Sequence, residues 1–520
     1  PAAGGPPRGE GRARRRPPLP PLVSAIAVLA ATAPARSDDG GRLQRAHQAT
    51  MRLDVSEARD LLAPLPPEDP DVAAERALLA LYEGDCDGSL EALARAPSRR
   101  DEWAEQLAEV ARGCARVTAS ALVVEDEARG LVFRLKDDED AALVPFLSDV
   151  ADRGRATLER ELGVRLPRPL RIEVVRDHYS LAAMTGLPEE AARTTGTVAV
   201  AKWGRVTMLS PRAAPHGYPW ADTLMHEMTH LAVTRASTDR APLWLQEGVA
   251  KRQEARWREP FAFDDSPPAD ATAKAGFAKG LALPLDRLGP SIAMLPTAEQ
   301  AMVAFAEVTS FVRYWTHEAG DRALPRLLAG LSDRPGPGGV DAALVDASGA
   351  DLHAWDERWR AYLQAVSVRE GEVPAPGGEG HGAGGRQLVR NVRLGDLLAE
   401  RKHEGAAVRY FEKAVAASGR DPSLRARLAR ALTALGRLEE ADRRVDSLSA
   451  VQHAQGPYLA LRAAALARRG ERDEAARSLD HALWLSPWDV DVACAAADAA
   501  PSPDDPRRSL CEALRHAGTD

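Results

Sequence analysis

Apolar and polar residues follow several distinct patterns along this chain of 520 residues. The first apolar run, Leu22 to Ala33, follows Arg8, Arg12, Arg14, Arg15 and Arg16 and ends at Ala33-Pro34-Ala35. A basic start, a short apolar core and a small-residue site make 1–35 an expected secretory signal peptide, too short for a stable membrane span. Residues 36–117 carry Ala and Leu at helical spacing, as from Val72 to Tyr82, with breaks at Pro64, Pro66-Pro67 and Gly84. An N-terminal helical region is expected there. Short β-like runs follow at Ala121–Val124, Leu131–Leu135, Leu170–Val175, Thr197–Ala201 and Val206–Leu209, with a long helical stretch from Ala141 to Leu162. That order predicts an α+β domain over 118–370, nearly all helical after residue 220. Gly and Pro crowd 372–385, so 371–386 is expected to be a flexible linker crossed by few contacts, with halves that fold separately.

Over 387–520 the pattern repeats. Leu398, Leu432 and Leu466 are in phase, as are Ala407, Ala441 and Ala475, and Phe411, Val445 and Leu479. Gly436 and Gly470 share a phase in which the first copy has Lys402, and Pro487 closes the last copy. This helix–turn–helix period, with small residues at the close-packing columns, resembles the tetratricopeptide repeat. The resemblance implies an all-α superhelix whose groove receives a protein partner, or else a structural spacer.

Composition narrows the function classes. The chain is 45% hydrophobic and 28% charged with a net charge of -8, as in ordinary globular proteins and unlike nucleic-acid binders, which cluster Lys and Arg. Its four cysteines are too few for a disulfide scaffold. Export would permit Cys86–Cys114 and Cys494–Cys511 as the natural local pairings, and spacing alone decides neither.

The chemistry concentrates at 220–250. His226-Glu227-x-x-His230 places two imidazoles on one face of a helix, where both can reach one metal ion. Glu227 projects beside them, suited to take a proton from an activated water and pass it to a leaving amine. Asp222 or Thr223 can cap this helix, and Leu224, Met228 and Leu231 supply its apolar flanks. A catalytic Zn2+ wants three protein ligands and an open position. Glu247, in the segment Pro242-Leu243-Trp244-Leu245-Gln246-Glu247-Gly248, is the expected third ligand, on a second helix starting near Pro242.

H-E-M-T-H followed by P-L-W-L-Q-E-G-V-A resembles the gluzincin zinc peptidases, in particular the peptidase MA-like family. The resemblance extends through 161–188, 301–331 and 355–363, and covers roughly residues 115–366. It implies a thermolysin-like α+β fold, with His226, His230 and Glu247 as zinc ligands and Glu227 as general base and acid. It also suggests Val206–Leu209 as an edge strand that binds extended peptide, with Trp203-Gly204 as its turn. One position departs: Phe305 stands in Ala304-Phe305-Ala306 where relatives often have Tyr, and Phe cannot donate to an oxyanion. Tyr314, His317 and Tyr218 are the candidate donors.

The expected function is therefore an exported zinc metallopeptidase acting on peptide or protein substrates, with repeats that recruit substrate or partner. A decayed peptidase scaffold serving as a binding protein, or a zinc hydrolase of a non-peptide amide, are the alternatives. Retention of Glu227 favours the enzyme over the scaffold.

Overall fold

The computed structural model describes residues 37–517, except 96–100, 192–195, 214–217, 261–263, 266, 290, 335, 337, 369–382, 418–421 and 447–455. The expected signal peptide, 1–35, and most of the expected linker, 371–386, lie outside the described residues.

Five helices come first: α1 (Ser37–Met51), α2 (Val55–Leu62), α3 (Pro70–Glu83), α4 (Cys86–Ala94) and α5 (Glu102–Thr118). Local chemistry sets their ends. Asp69 accepts from the backbone N–H groups of Asp71 and Val72 to cap α3, and Gly84 closes it at φ 78°. A disulfide between Cys86 and Cys114 joins α4 to α5.

The sheet order is β1-β2-β3-β5-β4, with β1 Leu122–Asp126, β2 Leu131–Leu135, β3 Leu170–Val175, β4 Ala199–Lys202 and β5 Arg205–Leu209. Strands β2, β3 and β5 run parallel, flanked by antiparallel hairpins. The parallel neighbours are connected through α6 (Val144–Leu162) and α7 (His178–Thr185), since parallel pairing needs a crossover. Trp203 and Gly204 both have positive φ, 55° and 67°, the backbone that a two-residue hairpin turn requires. The edge assignment is corrected: β5 is interior, paired with β3 and β4 and buried at every position, so β4 is the free edge on this side.

One face of the sheet packs Phe133, Ile172 and Met208 against α6 and the helix that follows β5. On the other face Val175 and Leu209 meet Val117 of α5 and Leu181 and Met184 of α7. Buried Arg205 ties the N-terminal helices to the sheet. Its Nη1 donates to the Leu81 carbonyl of α3 at 2.7 Å, and its Nε lies 3.9 Å from Glu173, which also pairs with Arg134 at 3.1 Å.

Seven helices complete the α+β unit: α8 (Trp220–Ser237), α9 (Leu243–Gln253), α10 (Ala269–Ala278), α11 (Ala298–Ala319), α12 (Ala323–Asp333), α13 (Gly339–Ser348) and α14 (Leu352–Ala365). Four helix pairs follow. They are α15 (Ala383–Glu400) with α16 (Glu404–Ala417), α17 (Pro422–Ala434) with α18 (Leu438–Asp446), α19 (Gly456–Arg468) with α20 (Arg472–Leu485), and α21 (Val490–Asp498) with α22 (Pro506–Ala517). Ala407, Ala441 and Ala475 are buried in phase, and Lys402, Gly436 and Gly470 all take positive φ at the inter-helix turns. The fourth pair, joined by a Cys494–Cys511 disulfide, was not foreseen as a helix pair.

The expected scarcity of contacts between the halves is corrected. Leu483, Ala493, Ala496, Leu510 and Leu514 belong to the same apolar core as the sheet. Helix α20 contacts α8, and α22 contacts the 3-10 turn at Asp138–Leu143. Each unit of a repeat stack carries an apolar face that must be covered, and here the α+β unit covers part of that of α20, α21 and α22.

Candidate metal centre

Helix α8 buries Leu224, Met225, Met228 and Leu231, and its approach to α6 depends on Gly154. A Cβ there would stand 3.0 Å from the Met225 sulfur and 3.1 Å from the Met228 methyl. The expected capping by Asp222 or Thr223 is not found. Pro219 precedes α8 with no side-chain cap, and Asp222 instead accepts from Trp257 Nε1 and Arg258 Nε, each at 2.9 Å.

Helix α9 starts after Pro242, as expected, and buries Trp244, Leu245 and Val249. Trp244 meets Phe311 of α11 edge to face at 5.3 Å. Gly248 brings the helices close. A Cβ there would lie 2.4 Å from Val312 Cγ2 and 2.7 Å from the Val308 carbonyl, so the Glu-Gly pair has a packing reason as well as a chemical one.

These two helices bring the three expected ligands together. His226 Nε2 lies 3.1 Å from His230 Nε2, and Glu247 Oε2 lies 3.5 and 3.7 Å from them. Tetrahedral ligands at about 2.0–2.1 Å from zinc would stand roughly 3.3 Å apart, so the set fits such an ion. Among the described residues no other trio of His, Cys, Asp or Glu converges in this way.

Each imidazole is oriented from behind. His226 Nδ1 faces Glu254 Oε2 at 3.3 Å, and Lys251 Nζ sits 2.9 Å from the same oxygen. His230 Nδ1 faces Gln246 Oε1 at 3.1 Å, and Gln246 Nε2 donates to Thr234 at 3.3 Å. Such partners fix the tautomer that leaves Nε2 for a metal. Burial alone would lower the His226 pKa, but hydrogen bonds to Glu247 and Glu254 and the nearby charge of Glu227 outweigh it and carry it up to about 9. Burial likewise opposes ionisation of Glu247, and the charges of His230, His226 and Lys251 overcome it and hold its carboxyl below the usual range.

Glu227 is nearly buried, and its Oε2 accepts from the Ala201 N–H of edge strand β4 at 2.6 Å. The Leu209 N–H donates to the Val198 carbonyl, so alternate residues of this strand face β5 while Ala199 and Ala201 face outward. The free edge therefore runs past Glu227.

Each of the three candidate donors has a neighbour outside the ligand set. Tyr314 stacks on Tyr362 at 5.0 Å, and His317 is 85% exposed beside Glu318. Tyr218 is half-buried and donates its hydroxyl to the Leu209 carbonyl; burial, then the charges of Asp140 and Glu227, push its pKa up. Phe305 lies under Lys251, whose Nζ is 5.8 Å from the ring centroid. Sequence reasoning missed Glu254, Gln246 and the Asp222 hub. A signal existed for Glu254: with Glu247 and Lys251 it marks one face of α9 at spacings of four and three.

Residues 397–465 match the tetratricopeptide repeat model, which points to protein–protein interaction for the helical C-terminal region. No curated protein matches the chain. Among the described residues no helix is long and apolar enough to cross a membrane.

Proposed function

We propose that this chain is an exported zinc metallopeptidase of the gluzincin kind, with repeats that recruit a protein substrate or partner. The convergence of His226, His230 and Glu247, with Glu227 beside a free strand edge, carries this reading. Zinc, when bound, supplies a Lewis acid that activates water and polarises the scissile carbonyl. His226, His230 and Glu247 hold it, and Glu254 and Gln246 keep the imidazoles turned inward. Glu227 takes the proton of the attacking water and returns it to the departing amine nitrogen. The outward backbone groups of β4 other than the Ala201 N–H, which Glu227 holds, favour a peptide over another amide, because an extended chain can add to that edge as a further strand. Paired cysteines support an oxidising compartment.

Metal analysis with a broad peptide-library digestion tests the proposal. One zinc per chain is expected, weakened strongly in His226→Ala and in Glu247→Ala, together with cleavage of extended peptides. Protein that takes up no zinc, or a double variant that retains it, sinks the assignment.

A further inference from the structure

The repeat half contributes a side chain to the frame that holds the two ligand helices. Trp484 of α20 stacks on Trp220, the first residue of α8, with ring centroids 6.0 Å apart. It also meets Trp257 edge to face at 5.2 Å and Phe146 of α6 at 6.5 Å. Trp257 follows the end of α9, and its Nε1 bond to Asp222 ties that end to the first turn of α8. Arg153 of α6 lies over both rings, 4.9 Å from Trp257 and 6.0 Å from Trp484. The start of α8 and the end of α9 are thus clamped in one aromatic box, and Trp484 closes it from the repeats. His226 lies less than two turns after Trp220, and Glu254 lies less than one turn before Trp257. A shift in the box is a shift of those two side chains relative to each other.

We propose that Trp484 is a positioning residue for the metal centre, so that metal affinity and docking of the repeats are linked. This rests on the zinc reading above. The three ligand atoms must keep separations within a few tenths of an ångström of those seen. Loss of groups that support metal ligands typically costs about 10–100-fold in affinity. Linkage is reciprocal: whatever pulls α20 from the box weakens the site, and metal in the site holds α20 in place.

The test measures zinc affinity by chelator competition on the full chain, together with the zinc-induced rise in melting temperature. Trp484→Ala is expected to weaken zinc by about tenfold and shrink that rise, whereas Trp484→Phe, which keeps a ring, stays within about threefold of wild type. Trp488→Ala is the control, since Trp488 packs on the same core outside the ring stack. A merely structural Trp484 would lower the melting temperature of metal-free and metal-loaded protein equally and leave affinity unchanged. That result overturns the proposal, as does equal weakening in Trp484→Ala and Trp488→Ala. If Trp484→Ala does not fold, Trp484→Phe and Trp484→Leu decide: the proposal stands if Leu weakens zinc more than Phe and falls if they bind alike. Wild-type protein that binds no zinc rejects the metal reading itself, before any variant is compared.

Discussion

The α8–α9 pair and the repeat pairs α17–α18 and α19–α20 are all two helices joined by a short connection, yet they are held by different means. In the repeats the same contacts recur: buried Ala441 and Ala475 at the crossing, and buried Leu432 and Leu466 behind them. Their turns close alike, with the N–H of Arg437 on the Leu432 carbonyl and that of Glu471 on the Leu466 carbonyl. Between α8 and α9 nothing recurs. Asp222, Glu254 and Gln246 each bond to a different partner, Gly248 sets the close approach of α9 to α11, and Trp484 reaches in from far along the chain. A repeated contact tolerates the loss of one copy. A singular one does not, so substitutions should cost most where the geometry is unique.

The largest effect is expected at Glu227. Glu227→Gln should retain zinc and fold but lower peptide cleavage by about 10²–10⁴-fold, because an amide cannot accept the proton of water. Equilibrium dialysis and steady-state kinetics check both halves of that statement. Near-wild-type turnover would remove Glu227 as the base and leave the two regions chemically alike.

Next comes Arg205, fully buried, where burial pushes the guanidinium down to about 10 against the opposing charge of Glu173. Arg205→Ala strips the N-terminal helices of their bond at Leu81 and leaves Glu173 to Arg134 alone. A loss of about 3–5 kcal/mol is expected in denaturant unfolding, typical of breaking a buried ion pair. A cost below 1 kcal/mol would show that the N-terminal helices dock without it.

Glu307 gives a pH signature. Burial raises its carboxyl from 4.5 to about 8, with the Leu283 N–H, 3.2 Å from Oε2, only partly opposing. The folded protein therefore keeps a proton that the unfolded chain releases near 4.5, and stability should fall as pH rises from about 4.5 to about 8. Glu307→Gln should flatten that slope, a change of up to about 5 kcal/mol across the window. Parallel slopes in the two proteins would refute it.

Where contacts obey a period or a motif they were legible beforehand. Spacing placed strands β2 and β3 and the repeat columns, and motif and segment together named His226, His230 and Glu247, which the fold gathers. The edge strand was misassigned because β4 and β5 are both short and apolar, and only pairing with β3 tells the interior one from the edge. Glu254 and Gln246 were overlooked because a second carboxylate and an amide on a charged helix resemble solvated residues until the imidazoles face them. Trp484 carried no signal: its partner Trp220 lies hundreds of residues away, and only tertiary packing joins them.

The smallest effect lies within the repeats. Lys402, Gly436 and Gly470 occupy the same turn position, with φ of 61°, 75° and 85°. In each, the next residue's N–H reaches back to the Leu carbonyl of its own copy: His403 to Leu398 at 2.8 Å, Arg437 to Leu432 at 2.9 Å, Glu471 to Leu466 at 3.0 Å. The turn thus demands a left-handed residue in every copy, and the first copy meets that demand with a side chain that dislikes it. Holding a non-glycine residue there costs about 1–2 kcal/mol, of which the extra freedom of glycine in the unfolded chain returns roughly half on replacement. Lys402→Gly should therefore stabilise the array by about 0.5–1 kcal/mol, and Gly436→Ala should destabilise it by about 1 kcal/mol, with no clash since Gly436 has open space around its Cα. Hydrogen exchange at the amides of α15–α18 in the full chain reads these local changes. If Lys402→Gly leaves protection unchanged or lowers it, the three turns are not equivalent, and the first repeat is held by something other than the rule the other two obey.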